Sequence, residues 1–126
     1  MPSVVRVCAA LALAGFLAAC STMMPAAPAR MTDGVLTNGA GMTLYTFDRD
    51  VAGSGKSVCN GQCAANWPPL VAGADAKASG DWSVLTRDDG VKQWAYNGKP
   101  LYLWVKDQKP GDKTGDGVQG VWHIAK

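Results

Sequence analysis

Two runs rich in apolar residues, Gln93-Trp94-Ala95-Tyr96 and Lys99 to Trp104, flank the dipeptide Asn97-Gly98. Both loop residues tolerate positive φ, so the pattern predicts a β-hairpin closed by a two-residue turn. That loop sets the register: Tyr96 faces Lys99, Ala95 faces Pro100 and Trp94 faces Leu101. Pro100 then falls in a non-hydrogen-bonded pair, and its missing N–H leaves the hairpin intact. Alternation along the second strand puts Tyr102 and Trp104 on one face and Leu101 and Leu103 on the other. Both faces are apolar, so both need cover. Trp82 to Leu85 and Val91 to Tyr96 bracket the turn Arg87-Asp88-Asp89-Gly90, and Gly34 to Thr37 and Met42 to Phe47 bracket Asn38-Gly39-Ala40-Gly41. Gly120 to Ala125 supplies a closing strand. The helical candidate is a turn or two around Asn60 to Asn66, ended by Trp67-Pro68-Pro69 because a residue before Pro disfavours the helical region. The expected fold is mainly β: a small single domain of antiparallel hairpins with at most one short helix near 60–66.

The same pattern occurs twice. Leu44-Tyr45-Thr46-Phe47-Asp48-Arg49-Asp50 and Leu101-Tyr102-Leu103-Trp104-Val105-Lys106-Asp107 both read Leu-Tyr-x-aromatic-x-x-Asp. Each copy follows an Asn-Gly pair, precedes a Gly-rich polar stretch and closes on a Trp, Trp67 or Trp122. Pseudo-repeats over about 38–67 and 97–122 follow, expected to meet around a pseudo-twofold axis in one shared core, since neither half can bury its aromatic face alone. On Tyr45, Phe47, Asp50, Tyr102, Trp104 and Asp107, and on the Cys59 to Pro69 segment, the sequence resembles a family of bacterial lipoproteins and secreted proteins marked by Tyr-x-(Phe/Trp/Tyr)-x-x-Asp. That family carries no settled activity. The resemblance therefore implies location and architecture rather than a reaction.

The N-terminus has a different pattern. Arg6 precedes an unbroken apolar run, Val7 to Phe16, of signal-peptide length. A permanent membrane span needs about 20 such residues. Leu17-Ala18-Ala19-Cys20 looks like a lipobox, so residues 1–19 are expected to be cleaved and Cys20 to be acylated. Two or more acyl chains bind a membrane stably, at ~0.8 kcal/mol per buried methylene, and lipoproteins of this type carry three. Residues 20–31 are expected to form the acylated Cys and a Pro-containing tether with a reach of about 30 Å, and residues 32–126 the β domain. Ser21 rather than Asp after the lipid-bearing Cys favours the outer membrane, with the domain facing the periplasm.

Composition narrows the partners. A chain of 126 residues has room for one modest core once the signal is removed. Its 12 Lys and Arg against 10 acidic residues fall to 11 against 10 when Arg6 leaves with the signal. A nucleic-acid binder needs a marked cationic excess, so nucleic acid is excluded. All 10 acidic residues are Asp and 15 residues are Gly, which favours turns over helices.

Few residues can carry chemistry. With Cys8 removed and Cys20 acylated, Cys59 and Cys63 remain in an oxidising compartment, which points to a disulfide. On a helical turn their Cα atoms would stand about 6 Å apart, within bonding range. The alternative is a periplasmic redox or copper-handling protein, with Cys59, Cys63 and the single His123 as soft and borderline ligands. His123 otherwise reads as a locally hydrogen-bonded strand residue. Asp112-Lys113-Thr114-Gly115-Asp116-Gly117 opens like a calcium loop but lacks a Glu at its twelfth position, so it reads as a turn. Gly53-Ser54-Gly55-Lys56-Ser57 lacks the first Gly of a phosphate loop and reads as a loop between strands. Asp50 and Asp107 are expected to accept bonds from the backbone that follows them; an acid/base pair would need both at one cleft. No nucleophile, base and orienting partner can be assembled. The expectation is a non-enzymatic envelope module without a cofactor, tied to the membrane by its lipid and binding an unidentified envelope partner or ligand.

Overall fold

The computed structural model describes residues 28–126. The signal segment and Cys20 lie outside the described residues. Among the described residues seven strands follow in order: β1 (Arg30–Thr32), β2 (Val35–Thr37), β3 (Tyr45–Phe47), β4 (Trp82–Thr86), β5 (Lys92–Tyr96), β6 (Lys99–Pro100) and β7 (Trp122–Ile124), with one helix, α1 (Gln62–Asn66), between β3 and β4. A short 3-10 turn, Val118–Gly120, precedes β7. All strand pairs are antiparallel, so the fold is mainly β, as the alternation implies.

Turn chemistry fixes the hairpins. Asn97 and Gly98 both take positive φ, and Ala95 and Tyr96 face Pro100 and Lys99. The Arg87 to Gly90 turn joins β4 to β5 over five paired positions. β1 and β2 form a further hairpin around Asp33-Gly34, both at positive φ. β1 thus begins within the residues assigned to the tether, at Arg30 and Met31, and Ala29 just before it is buried. β2 also meets Thr43 through a single bridge, which is what the Asn38 to Gly41 turn produces. The expected strand Lys99 to Trp104 is shorter. Beyond Pro100 the chain stays extended but changes partner: Leu101 N–H still reaches Trp94, while Tyr102 N–H reaches Tyr45 and Leu103 N–H reaches Pro68.

That change of partner arises because the two halves exchange their closing segments. Tyr45 N–H donates to Tyr102 O at 2.8 Å and Tyr102 N–H to Tyr45 O at 2.9 Å, a reciprocal pair on a pseudo-twofold axis. Around it the bonds repeat. Asp48 N–H meets Val121 O and Val105 N–H meets Asn66 O; Ala125 N–H meets Leu44 O and Leu70 N–H meets Leu101 O. The segment after Trp67 therefore pairs with the second motif, and the segment after Trp122 with the first.

Two clusters flank this central pair of strands, where one shared core was expected. Leu36, Leu44 and Leu101 pack with Ala29 and Ala125 on one side. Tyr45, Tyr102, Trp67, Trp122 and Cys59 pack on the other. Each draws on both repeats. Period-two alternation of Leu44-Tyr45 and Leu101-Tyr102 separates aliphatic from aromatic faces, so one core becomes two layers.

Candidate functional site

The aromatic layer holds the motif residues. Tyr45 donates its hydroxyl to Asp107 Oδ2 at 2.6 Å, and Tyr102 donates to Asp50 Oδ2 at 2.5 Å. Each motif Tyr thus closes on the Asp of the other motif. The second carboxylate oxygens are engaged by following backbone: Val58 N–H donates to Asp50 Oδ1, and Thr114 donates to Asp107 Oδ1 through both N–H and Oγ1. The two carboxylates are divided between separate Tyr clasps and do not form an acid/base pair.

Electrostatics follow from burial. Tyr45 and Tyr102 are fully buried. Desolvation, with the adjoining carboxylate second, raises both phenol pKa values and keeps the hydroxyls protonated as donors. Desolvation also raises Asp50 above the ordinary carboxylate value, although Tyr102, Val58 N–H and Arg87 pull it back. The Asp50 side carries an extra brace. Arg87, 3% exposed, donates from Nη1 to Ser57 Oγ and Gln93 Oε1, both at 2.8 Å, and from Nη2 to Cys59 O. Ser57 Oγ lies 2.6 Å from Tyr102 Oη, and Gln93 Nε2 donates to Leu101 O. Arg87 Nε has no hydrogen bond among the described residues, and Asp89 stands 4.0 Å from it. Sequence reasoning passes over Arg87, Gln93 and Ser57, since an Arg-Asp-Asp-Gly turn looks like solvated surface.

Four rings form a continuous stack through the layer. Phe47 lies on Trp122 at 4.2 Å, Trp122 on Trp67 at 3.8 Å and Trp67 on Trp104 at 4.0 Å between centroids. Each motif aromatic thereby rests on the closing Trp of the opposite repeat. The outer rings, Phe47 and Trp104, are half-buried and open on a groove of about 570 Å³. Arg49, Asn66 and Gln119 bring polar groups to its edge. Gln119 holds a left-handed backbone, φ 54°, between Gly117 at 82° and Gly120 at 71°. A non-Gly residue in that region costs of order 1 kcal/mol or more, and such positions concentrate at binding sites.

Cys59 and Cys63 lie at disulfide distance, S–S 2.08 Å with Cα atoms 5.2 Å apart, and Cys63 borders the groove from α1. His123 is elsewhere. It stands on the exposed side of β7, its Nε2 2.8 Å from Asp48 Oδ2, in a separate pocket with Lys99 and Lys126. The three candidate copper ligands are therefore not assembled, and no group of three His, Cys, Asp or Glu side chains suited to a metal occurs among the described residues. Asp112 is occupied by Gln108 N–H and by both nitrogens of Lys109, and Asp116 by Ile124 N–H, which is turn geometry. Ser57, at the end of the Gly-rich loop, is a buried structural hydroxyl.

No curated protein and no solved structure matches the chain. The family described as a secreted repeat of unknown function matches residues 29–71 and 83–126, the two halves that exchange their closing segments. The chain belongs to that secreted-repeat family.

Proposed function

We propose that this protein is an acylated lipoprotein of the bacterial envelope, anchored through Cys20 in the outer membrane, facing the periplasm, and that its domain binds a ligand without transforming it. The motif residues support a binding rather than a catalytic reading because their polar atoms are committed to one another: Tyr45 to Asp107 and Tyr102 to Asp50. The observation that carries the reading is the aromatic groove edged by Asn66, Gln119 and Arg49. A concave surface that sets exposed aromatic faces, here Phe47 and Trp104, among placed polar groups is one form a ligand site takes. The ligand class that suits such faces is a glycan strand. Pyranose C–H faces pack on indole and phenyl surface, while hydroxyls meet amide and guanidinium donors.

The test is a titration of the mature domain with soluble cell-wall glycan fragments, followed by Trp fluorescence and by backbone amide shifts. Binding should move Gln119 and the Trp104 signals. Trp104→Ala should weaken it by at least 2 kcal/mol, the scale of an aromatic anchor. Gln119→Gly should weaken binding while preserving the fold, because glycine suits that backbone. Shifts confined to residues outside the groove, or unchanged affinity in Trp104→Ala, would refute the assignment.

A further inference from the structure

We propose a second activity for the aromatic layer: Trp104, Trp67 and Trp122, with Tyr45 and Tyr102, form a one-electron relay that admits an oxidising equivalent at the groove and holds it as a neutral tyrosyl radical. Every step in the path is a ring contact. Trp104 meets Trp67 at 4.0 Å, Trp67 meets Trp122 at 3.8 Å with planes only 4° apart, Tyr45 meets Trp67 at 5.4 Å and Tyr102 meets Trp122 at 5.1 Å. Aliphatic side chains would fill a core equally well. Indole and phenol are the side chains that lose one electron readily.

The second observation is the placement of the carboxylates. A phenol becomes a strong acid when it is oxidised, so a buried tyrosine can be oxidised easily only if its proton has somewhere to go. Asp107 and Asp50 lie at 2.6 and 2.5 Å from the two hydroxyls, within the reach a proton acceptor requires. Burial raises Asp50's affinity for a proton, which helps it to accept one.

A one-electron oxidant, an organic or inorganic radical or an oxidised metal centre on an acceptor protein, takes one electron from Trp104 and is itself reduced. The resulting indole cation is filled from Trp67, and Trp67 in turn from Trp122 or Tyr45. When the electron finally leaves Tyr45 or Tyr102, the phenolic proton moves to Asp107 or Asp50. The products are a neutral tyrosyl radical and a protonated carboxyl. A one-electron reductant at the groove reverses the sequence, and the proton returns to the phenol. Two features give direction: the Lys106 ammonium, 5.8 Å over the Trp104 ring, disfavours positive charge there and drives it inward. Phe47, the least oxidisable ring, closes the opposite end of the stack on Trp122.

The test is pulse radiolysis with the azide radical on the full mature chain carrying Tyr96→Phe, so that any tyrosyl radical arises at Tyr45 or Tyr102. Indole radical absorption should decay into the sharp tyrosyl band at a rate independent of protein concentration, and the rate should fall in deuterium oxide. Asp50→Asn with Asp107→Asn should slow the step about 100-fold, the scale of a positioned proton acceptor. Should the double Asn variant fail to fold, the isotope effect in Tyr96→Phe decides. Absence of the tyrosyl band, a rate proportional to protein concentration, no isotope effect, or an unchanged rate in the folded Asn variant would each overturn the relay.

Discussion

Replacing Tyr102 by Phe removes one oxygen from a fully buried site and leaves its two partners behind. Ser57 Oγ keeps its bond from Arg87, and Asp50 keeps its bond from Val58 N–H, but the Ser57 hydroxyl loses its acceptor and the Asp50 carboxylate its donor, so the loss is two hydrogen bonds, one of them to a carboxylate. Bonds to charged groups contribute about 1.5–3 kcal/mol. With about 1 kcal/mol more for the neutral bond from Ser57, a deficit of about 3 kcal/mol is expected at pH 7, lowering Tm by roughly 15 °C in a domain of this size. The pH dependence gives the sharper test. Burial raises Asp50 above its ordinary 3.8, and the Tyr102 bond opposes that rise. A raised folded pKa means that protonation favours the folded state. The contribution is fully present below the unfolded pKa and is lost as pH rises through the folded one. Without the phenol the folded value climbs further, and the loss at neutral pH grows. Below the unfolded pKa the carboxyl is neutral, and the two missing bonds contribute only about 1 kcal/mol each. Urea unfolding of wild type and Tyr102→Phe at pH 7 and pH 3 should therefore show a deficit that shrinks in acid. An equal deficit at both values, or one that grows in acid, would refute the reasoning.

Tyr45 and Tyr102 both have raised pKa values, so the unfolded state ionises first; above about pH 10, stability should fall by about 2.7 kcal/mol per pH unit for the two phenols. A slope of one proton or less in urea titrations between about pH 10.5 and 12, where unfolded phenols are mostly ionised, would contradict their burial. Gly115→Ala would place a Cβ 2.8 Å from Trp67 and 3.0 Å from Tyr45, an overpacking cost of about 1–3 kcal/mol. Gly73→Ala, with open space around it, is the control, and equal melting of the two variants would refute the packing argument. Cys20→Ala should abolish incorporation of radiolabelled palmitate, and persisting label would refute the lipobox. Fragments 28–75 and 76–126 should each be unfolded alone and regain near-ultraviolet dichroism when mixed, because each supplies the other's closing segment; a folded single fragment would refute the exchange.

What the sequence discloses follows the range of the interactions involved. The Asn97-Gly98 hairpin and its register are legible because two residues determine the turn and alternation does the rest. The duplication is legible because four positions of a seven-residue stretch recur in order. The hairpin at Asp33-Gly34 carried an equally good turn signal, but it lay against a stretch whose prolines suggested a tether. The change of partner at Leu101 left no local trace, since an extended residue looks the same whichever strand it joins. Arg87 was hidden for a related reason: its burial depends on Ser57 and Cys59, about 30 residues earlier, and nothing in its own turn announces them.

The family motif describes an interface between repeats. Its Tyr bonds the opposite Asp, its aromatic rests on the opposite Trp, and its backbone pairs with the opposite closing segment. Residues so committed hold the architecture together and leave their polar atoms no free partner to offer a ligand. Under the proposed binding function, ligand specificity depends on positions where the halves differ. Around the groove those differences are concentrated: one repeat brings the Cys59–Cys63 loop and α1 to the edge, and the other brings the Val118–Gly120 turn with Gln119 in its left-handed backbone. Arg87 braces only one of the two clasps. A symmetric scaffold thus presents an asymmetric groove, and that departure from symmetry is where selection for a particular ligand can act without disturbing the fold.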